Sequence, residues 1–154
     1  MLLLDQAAKL LVHARLQLYE TITVIPGHLN LYYVRNSGLI WSLFSRQLAG
    51  YSTWIYLVIN LIALLIILRI FFQTENRAVL LPLGLSLVLA GALGNLLDRL
   101  RWGYVVDFIQ MYYRSGAPSH RLHSWAIYNV ADIAITCGII LLIMDSLRPA
   151  RRAN

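Results

Sequence analysis

The sequence predicts an all-α integral membrane bundle of four helices, the first one short, with a small β-sheet outside the lipid. Three observations carry that prediction. Of 154 residues, 59% are hydrophobic and only 13% are charged, against about 25% charged in an ordinary soluble domain. Three apolar runs approach or reach the roughly 20 helical residues that a bilayer core requires. Between the first two helical segments lies a stretch rich in β-branched and aromatic residues, broken by Pro26-Gly27. The mean hydropathy of +0.64 agrees. Length and composition suit a single membrane domain over 1–154 that ends in a basic tail, 148–154.

The elements follow in order. MLLLDQAAKLLVHARLQLYE has helical periodicity, with Leu3, Leu10 and Leu18 on a broad apolar face. It also carries Asp5, Lys9, His13 and Arg15, which make it a poor independent span. It is read as an interfacial helix or the tail of a longer one. Thr21–Ile25 and Leu29–Val34 flank the Pro-Gly turn and read as two short strands. Thr53–Phe72 is the first full span, with Asn60 as its one strongly polar interior residue. QTENR is a polar turn. Arg77–Arg99 forms the next span, and Tyr128–Leu147 the last. Between them, after Asp107, QMYYRSGAPSHRLHSW reads as a polar and aromatic loop.

The net charge is +6, and every basic residue except Lys9 is arginine. The arginines fall at the ends of apolar runs rather than along one amphipathic face. That pattern suits phospholipid headgroups and excludes nucleic acid as the partner. Trp41, Trp54, Trp102 and Trp125 stand at segment ends as interfacial anchors. The lone Cys137 sits in an apolar run and is read as packing. With both termini on one side, Arg69, Arg77, Arg148, Arg151 and Arg152 share the cytoplasmic face, and the sheet-bearing loops lie opposite.

The chemistry concentrates in two helices and one acid. Gly84, Gly91, Asn95 and Asp98 lie seven, four and three residues apart, so they form one helical stripe. The glycines admit a neighbouring helix, and the polar pair lies at the far end of the stripe. Asn129, Asp132 and Thr136 share a face of the last span. Asp132 falls in its first turn, where a helix N-terminus favours negative charge. Capping explains that acid but not Asp107, which sits in the apolar context GYVVDFI. Acids at a membrane edge call for a partner, and the partner expected for Asp132 is Asp107. Two carboxyls in one desolvated site cannot both ionise cheaply, so one retains a proton. An acid beside a base is the machinery of aspartic hydrolysis. No metal and no cofactor is expected: His120 and His123 form a pair on a loop with no further ligand. Lys9 has no serine at a spacing that suggests a Ser–Lys nucleophile.

GALGNLLDRLRWGYVVDFI followed by YNVADIAI resembles signal peptidase II, the lipoprotein signal peptidase family. DQAAK, Asp5 to Lys9, resembles that family's first motif, and NSGLIWS its Asn-x-Gly segment. The resemblance implies a four-helix aspartyl endopeptidase with an extracytoplasmic sheet, multi-pass in the bacterial cytoplasmic (inner) membrane. It implies cleavage of diacylglyceryl-modified prolipoproteins just before the lipidated cysteine, by a monomer whose active site lies near the extracytoplasmic face. By motif match Asp107 and Asp132 become the catalytic pair. Asp5, Asn36, Gly38, Asn95, Asp98, Arg99 and Asn129 become supporting or substrate-binding residues. The chain departs from the family in three places. Only MLLL precedes the DQ motif, Leu39 and Ile40 replace small residues, and SGAPSHRLHS reads as an inserted loop suited to a lid. The first two would also suit a relative that binds lipidated peptides without cutting them. A proton-coupled carrier would place its acids near the midplane rather than at one edge.

Overall fold

The chain runs α1 (Leu2–Arg15), β1 (Thr21–Ile25), β2 (Leu29–Asn36), α2 (Ser52–Phe72), α3 (Leu80–Trp102), β3 (Val105–Arg114), β4 (Leu122–Ser124) and α4 (Val130–Ser146). This computed structural model describes residues 1–37, 52–72, 79–114, 122–124 and 126–147. Gly38, the Leu39-Ile40 pair, Trp41, the QTENR turn, His120, Trp125 and the basic tail lie outside the described residues. So does the first part, 115–121, of the expected inserted loop.

The first helix departs from expectation. Its i, i+4 charge pair points inward. Asp5, Lys9 and Val12 are its buried residues, with Asp5 1% and Lys9 0% exposed. Leu3, Leu4 and Leu11 on the other faces are exposed instead. Polar residues this deep must satisfy one another, and they do so against α3 and α4.

α3 and α4 meet along the glycine stripe. A Cβ added to Gly84 would lie 3.0 Å from the Gly138 carbonyl oxygen. One added to Gly91 would collide with the Ala131 carbonyl oxygen and lie 2.7 Å from Ile135 Cγ1. One added to Gly138 would lie 2.6 Å from Val88 Cγ2. The absent side chains are what let the two backbones touch. α3 has 23 residues and a length of ~35 Å at 1.5 Å rise per residue. Among the described residues it is the helix long and apolar enough to cross a membrane, and only 28% of its apolar window is buried. Ile59, Ile62, Leu65 and Ile66 of α2 and Ile139, Ile140 and Ile143 of α4 are likewise exposed. The informative feature is this run of exposed large apolar side chains, which a water-soluble surface does not carry.

The sheet has the strand order β1-β2-β3-β4, all antiparallel. β1 and β2 form the expected hairpin, with Gly27 at φ +82° in its turn. β2 runs two residues past the expected end, to Asn36. β3 is a correction: the residues after Asp107 were expected as loop but continue a ten-residue strand, and part of the expected insertion pairs with it as β4. The alternating VVDFIQMYYR pattern becomes a strand because β2 supplies its partner, and that pairing is non-local. Between Leu31↔Ile109 and Val34↔Asp107 the register shifts by one residue, a bulge in β2 beside Asp107. Val12, Tyr33, Val106 and Phe108 form the core between α1 and the sheet. An isolated bridge joins Ile109 to Tyr128, with Ile109 N donating to Tyr128 O at 2.8 Å and Tyr128 N to Ile109 O at 3.1 Å. That bridge sets the start of α4 against β3.

Candidate active site

Asp107 sits in β3, 3% exposed, one residue from the fully buried Val106. The Ile109–Tyr128 bridge brings Asn129 beside it. Asn129 Nδ2 donates to Asp107 Oδ1 at 2.6 Å, and Asn36 Nδ2 donates to Oδ2 at 2.8 Å. Asn36 reaches that oxygen because β2 continues to it. Burial pushes the Asp107 carboxyl up to about 6. The amide of Asn36 opposes that rise, the charge of Asp132 adds to it, and Asn129 and Lys9 again oppose it. Desolvation of the charged form is the largest of these effects, so the net shift is upward.

Asn129 is also the N-cap of α4, in an extended conformation. Its Oδ1 accepts from Asp132 N at 3.0 Å, and its own backbone N donates to Asp132 Oδ2 at 3.1 Å. This is a reciprocal capping box with Asp132 at the third helical position. One asparagine therefore holds both acids, one through its side-chain nitrogen and the other through its backbone. The capping explanation for Asp132 is correct and incomplete, since Oδ1 of the same carboxylate accepts from Asn95 Nδ2 at 2.9 Å.

Beneath this tier lies a second. Lys9 Nζ is 2.9 Å from Asp5 Oδ2, 2.9 Å from Asp98 Oδ2 and 2.9 Å from Asn95 Oδ1. An ammonium has three hydrogens, and each has an acceptor here. Asp98, fully buried, also accepts from Gln6 Nε2 at 3.0 Å and from Val106 N at 3.1 Å, which ties α3 to the start of β3. Asp5 Oδ1 accepts from Ala131 N at 2.8 Å. A first-helix carboxylate thus caps the last helix across the fold, where free N–H groups welcome negative charge. Gly94 makes room: a Cβ there would meet Asp5 Oδ2.

On its outer side Asp132 is half-buried and borders a cavity of about 410 Å³, whose wall includes Ala126, Tyr128, Ile133, Thr136 and Cys137. Cys137, expected as helix packing, is exposed on that wall. The arrangement offers a buried acid near its neutral form, a second carboxylate facing an open groove, and amides that hold both.

Of the site residues anticipated from the sequence, Asp5, Asn36, Asn95, Asp98, Asp107, Asn129 and Asp132 come together in one network. Arg99 follows Asp98 in the last turn of α3, half-buried, and its carbonyl accepts from Gly103 N at 3.0 Å. Gly38 is among the undescribed residues. Sequence reasoning missed Lys9 and Gln6 as members. The signal was available: Asp5 and Lys9 are four apart on one helical face, and charges on an otherwise apolar helix demand buried partners.

The model of the signal peptidase (SPase) II family matches residues 1–148 of this chain. The chain belongs to the signal peptidase II family. It is 38% identical over 153 residues to a lipoprotein signal peptidase of Geobacter metallireducens, covering 99% of this chain and 89% of that protein. To the lipoprotein signal peptidase of Latilactobacillus sakei it is 37% identical over 143 residues, 93% of this chain and 85% of that one. Two solved bacterial membrane enzymes, determined by the in meso method, share the fold. One superposes with a TM-score of 0.77 at 27% identity, covering 99% of this chain and 89% of the other. The second gives 0.76 at 29% identity, over 97% and 88%. The signal peptidase II match takes in both acids, the three asparagines that hold them and the buried charges of α1.

Proposed function

We propose that this chain is a membrane aspartyl endopeptidase that removes signal peptides from diacylglyceryl-modified prolipoproteins, cutting before the lipidated cysteine. Family membership supports peptidase activity on lipoprotein precursors. The observation that carries the catalytic assignment is the pairing of Asp107 and Asp132 through the single residue Asn129. It is supported by their unequal settings: Asp107 buried and pushed up to about 6, Asp132 half-buried on the groove. The long apolar α3 and the exposed apolar faces of α2 and α4 support a multi-pass setting in the bacterial cytoplasmic membrane.

The mechanism follows from those settings. Asp132 faces the groove and is the less buried of the two acids, so it serves as the base. It takes one proton from a water, and the water oxygen bonds to the scissile carbonyl carbon. Asp107 serves as the acid and gives its proton to the carbonyl oxygen as that oxygen gains charge. The result is a neutral gem-diol, with the proton now on Asp132. Asp132 protonates the amide nitrogen, the C–N bond breaks, and a hydroxyl proton of the gem-diol returns to Asp107. The pair ends as it began. The groove walled by Tyr128, Ile133 and Thr136 offers apolar surface beside the reacting group, suited to a hydrophobic signal segment and acyl chains. The chain acts in this scheme as a monomer, since both acids lie within it.

Asp107→Asn and Asp132→Asn are each expected to lower cleavage of a diacylglyceryl prolipopeptide by at least about 10³-fold while the protein stays folded in detergent. Mass spectrometry of the products locates the cut. Near-normal cleavage by either variant removes the dyad. Tight binding by wild type with no cut in any precursor would favour a non-cleaving binder.

A further inference from the structure

We propose that Lys9 is a positioning residue for the acid pair: it fixes the Asn95 amide as a donor to Asp132 and so decides which acid carries the shared proton. The inference rests on the aspartyl-peptidase reading and goes past it, to a residue that touches neither acid.

The geometry gives Lys9 three equal acceptors, of which Asp5 and Asp98 would suffice for a buried ion pair. The third bond, to Asn95 Oδ1, leads toward the reaction centre. An asparagine amide has nearly the same shape when turned over, with oxygen and nitrogen exchanged. Lysine has donors only, so the Asn95 atom facing Nζ must be the oxygen. Asn129 Nδ2 donates to that same oxygen at 3.1 Å. Asn95 Nδ2 is therefore turned to Asp132 Oδ1 at 2.9 Å. Asn129 cannot turn over in compensation, because its Oδ1 is held by the Asp132 backbone N–H. Asp132 then meets donors at both oxygens, and a proton placed on it would find no acceptor at either contact. Asp107 likewise meets two amide donors, from Asn129 and Asn36, so the acids differ in burial, Asp107 at 3% exposed against a half-buried Asp132, and the fixed Asn95 donor adds to that difference. Without the ammonium, Asn95 is free to turn over and present its oxygen to Asp132, which could then hold the proton. The reaction would start with acid and base exchanged, and the base buried away from the groove.

Lys9 also acts through its charge. Around Asp107 stand Asp132 on α4, which raises it, and Lys9 on α1, which lowers it. Asp5 and Asp98 lie against Lys9 from α1 and α3, while Arg35 on β2 is engaged with Tyr33 and Tyr104. Placing the proton must therefore be separated from simple charge. Lys9→Met with Asp98→Asn removes one charge of each sign and leaves the buried network at the same net charge.

The test uses the full chain in lipid nanodiscs. Infrared titration near pH 6 follows the protonated carboxyl without substrate, assigned by adding Asp107→Asn or Asp132→Asn to each background. In wild type, Asp107→Asn should remove the band. In Lys9→Met/Asp98→Asn the band should pass to Asp132, with kcat down by about tenfold or more and KM within about twofold. Asn95→Ala leaves both Lys9 ion pairs intact and should move the band in the same way, so the proposal remains testable if the double variant fails to fold. A band that stays on Asp107 in Asn95→Ala, or a double variant with wild-type kcat, overturns the proposal. A wild type that cuts no prolipopeptide overturns the peptidase reading instead, and the infrared result stands apart from it.

Discussion

Asn129 uses every polar atom it has. Its backbone N and Oδ1 close the capping box with Asp132, its Nδ2 serves Asp107 and Asn95, and its carbonyl accepts from Ile133 N at 3.3 Å. Asn129→Ala is expected to cost about 1–2 kcal/mol from the lost cap and to lower kcat by at least about 10²-fold, read from thermal melting and cleavage of the same preparation. Asp107 carries a second prediction. Its carboxyl is raised from an ordinary 3.8 to about 6, so between those values the folded chain keeps a proton the unfolded chain has lost. Its contribution to stability is full below about pH 4 and is lost as pH rises through about 6, a change of about 3 kcal/mol. The melting temperature should fall over that window in wild type and fall less in Asp107→Asn. kcat/KM should decline as pH rises through about 6, where the free enzyme loses its acid. Asp107, Asp132 and Asn129 were legible as residues because polar groups in apolar sequence need a reason. The partnership itself was an inference from cost. What no spacing revealed is that one asparagine holds both acids, since that requires β3 and α4 to be bridged.

At the scale of elements, the glycine stripe of α3 was legible from its period, and its partner was not. The structure supplies α4, with Gly138 opposite Gly84 and Ala131 opposite Gly91. The two contacts differ in what they hold. Gly91 faces the turn that carries Asn129 and Asp132, and Gly84 lies seven residues away, ~10 Å along the helix. Gly91→Ala and Gly84→Ala are each expected to destabilise by about 1–3 kcal/mol through overpacking. Gly91→Ala should in addition lower kcat several-fold at a temperature where both variants remain folded. Equal kcat for the two would detach the helix contact from the site. α1 shows the opposite failure of legibility. Its charges counted against membrane burial when each was weighed alone. In the fold Asp5 and Lys9 neutralise one another and Asp5 serves a helix terminus, and only the arrangement of three helices makes that possible. β3 was missed for a related reason: its strand partner β2 lies about seventy residues earlier in the chain.

The whole molecule is a site at one end of a helix bundle, roofed by a sheet. α3 passes from the Gly84 contact to Asp98 and then directly into β3, so bundle and sheet share one continuous piece of chain. The exposed apolar residues of α2, α3 and α4 leave a broad apolar girdle below the polar network. We propose that this girdle faces lipid with the sheet and the acids at the extracytoplasmic side and the C-terminal end of α4 at the cytoplasmic side. A cysteine placed at 118 in a Cys137→Ser background should react with a membrane-impermeant maleimide in intact cells, and one placed at 150 only after permeabilisation. The reverse pattern would invert the proposed orientation.

Sequence alone determined the quantities that depend on local order: the apolar runs, the hairpin at Pro26-Gly27, the glycine period, and the acids too costly to be incidental. These are legible because helix and strand periods are properties of neighbouring residues. Tertiary structure alone decided which groups meet. It turned Asp5 and Lys9 of α1 inward, made a strand of the residues after Asp107, and placed Lys9 behind Asn95. Hydrogen bonds act over about 3 Å, and residues a hundred positions apart acquire that distance only when helices and sheet have packed.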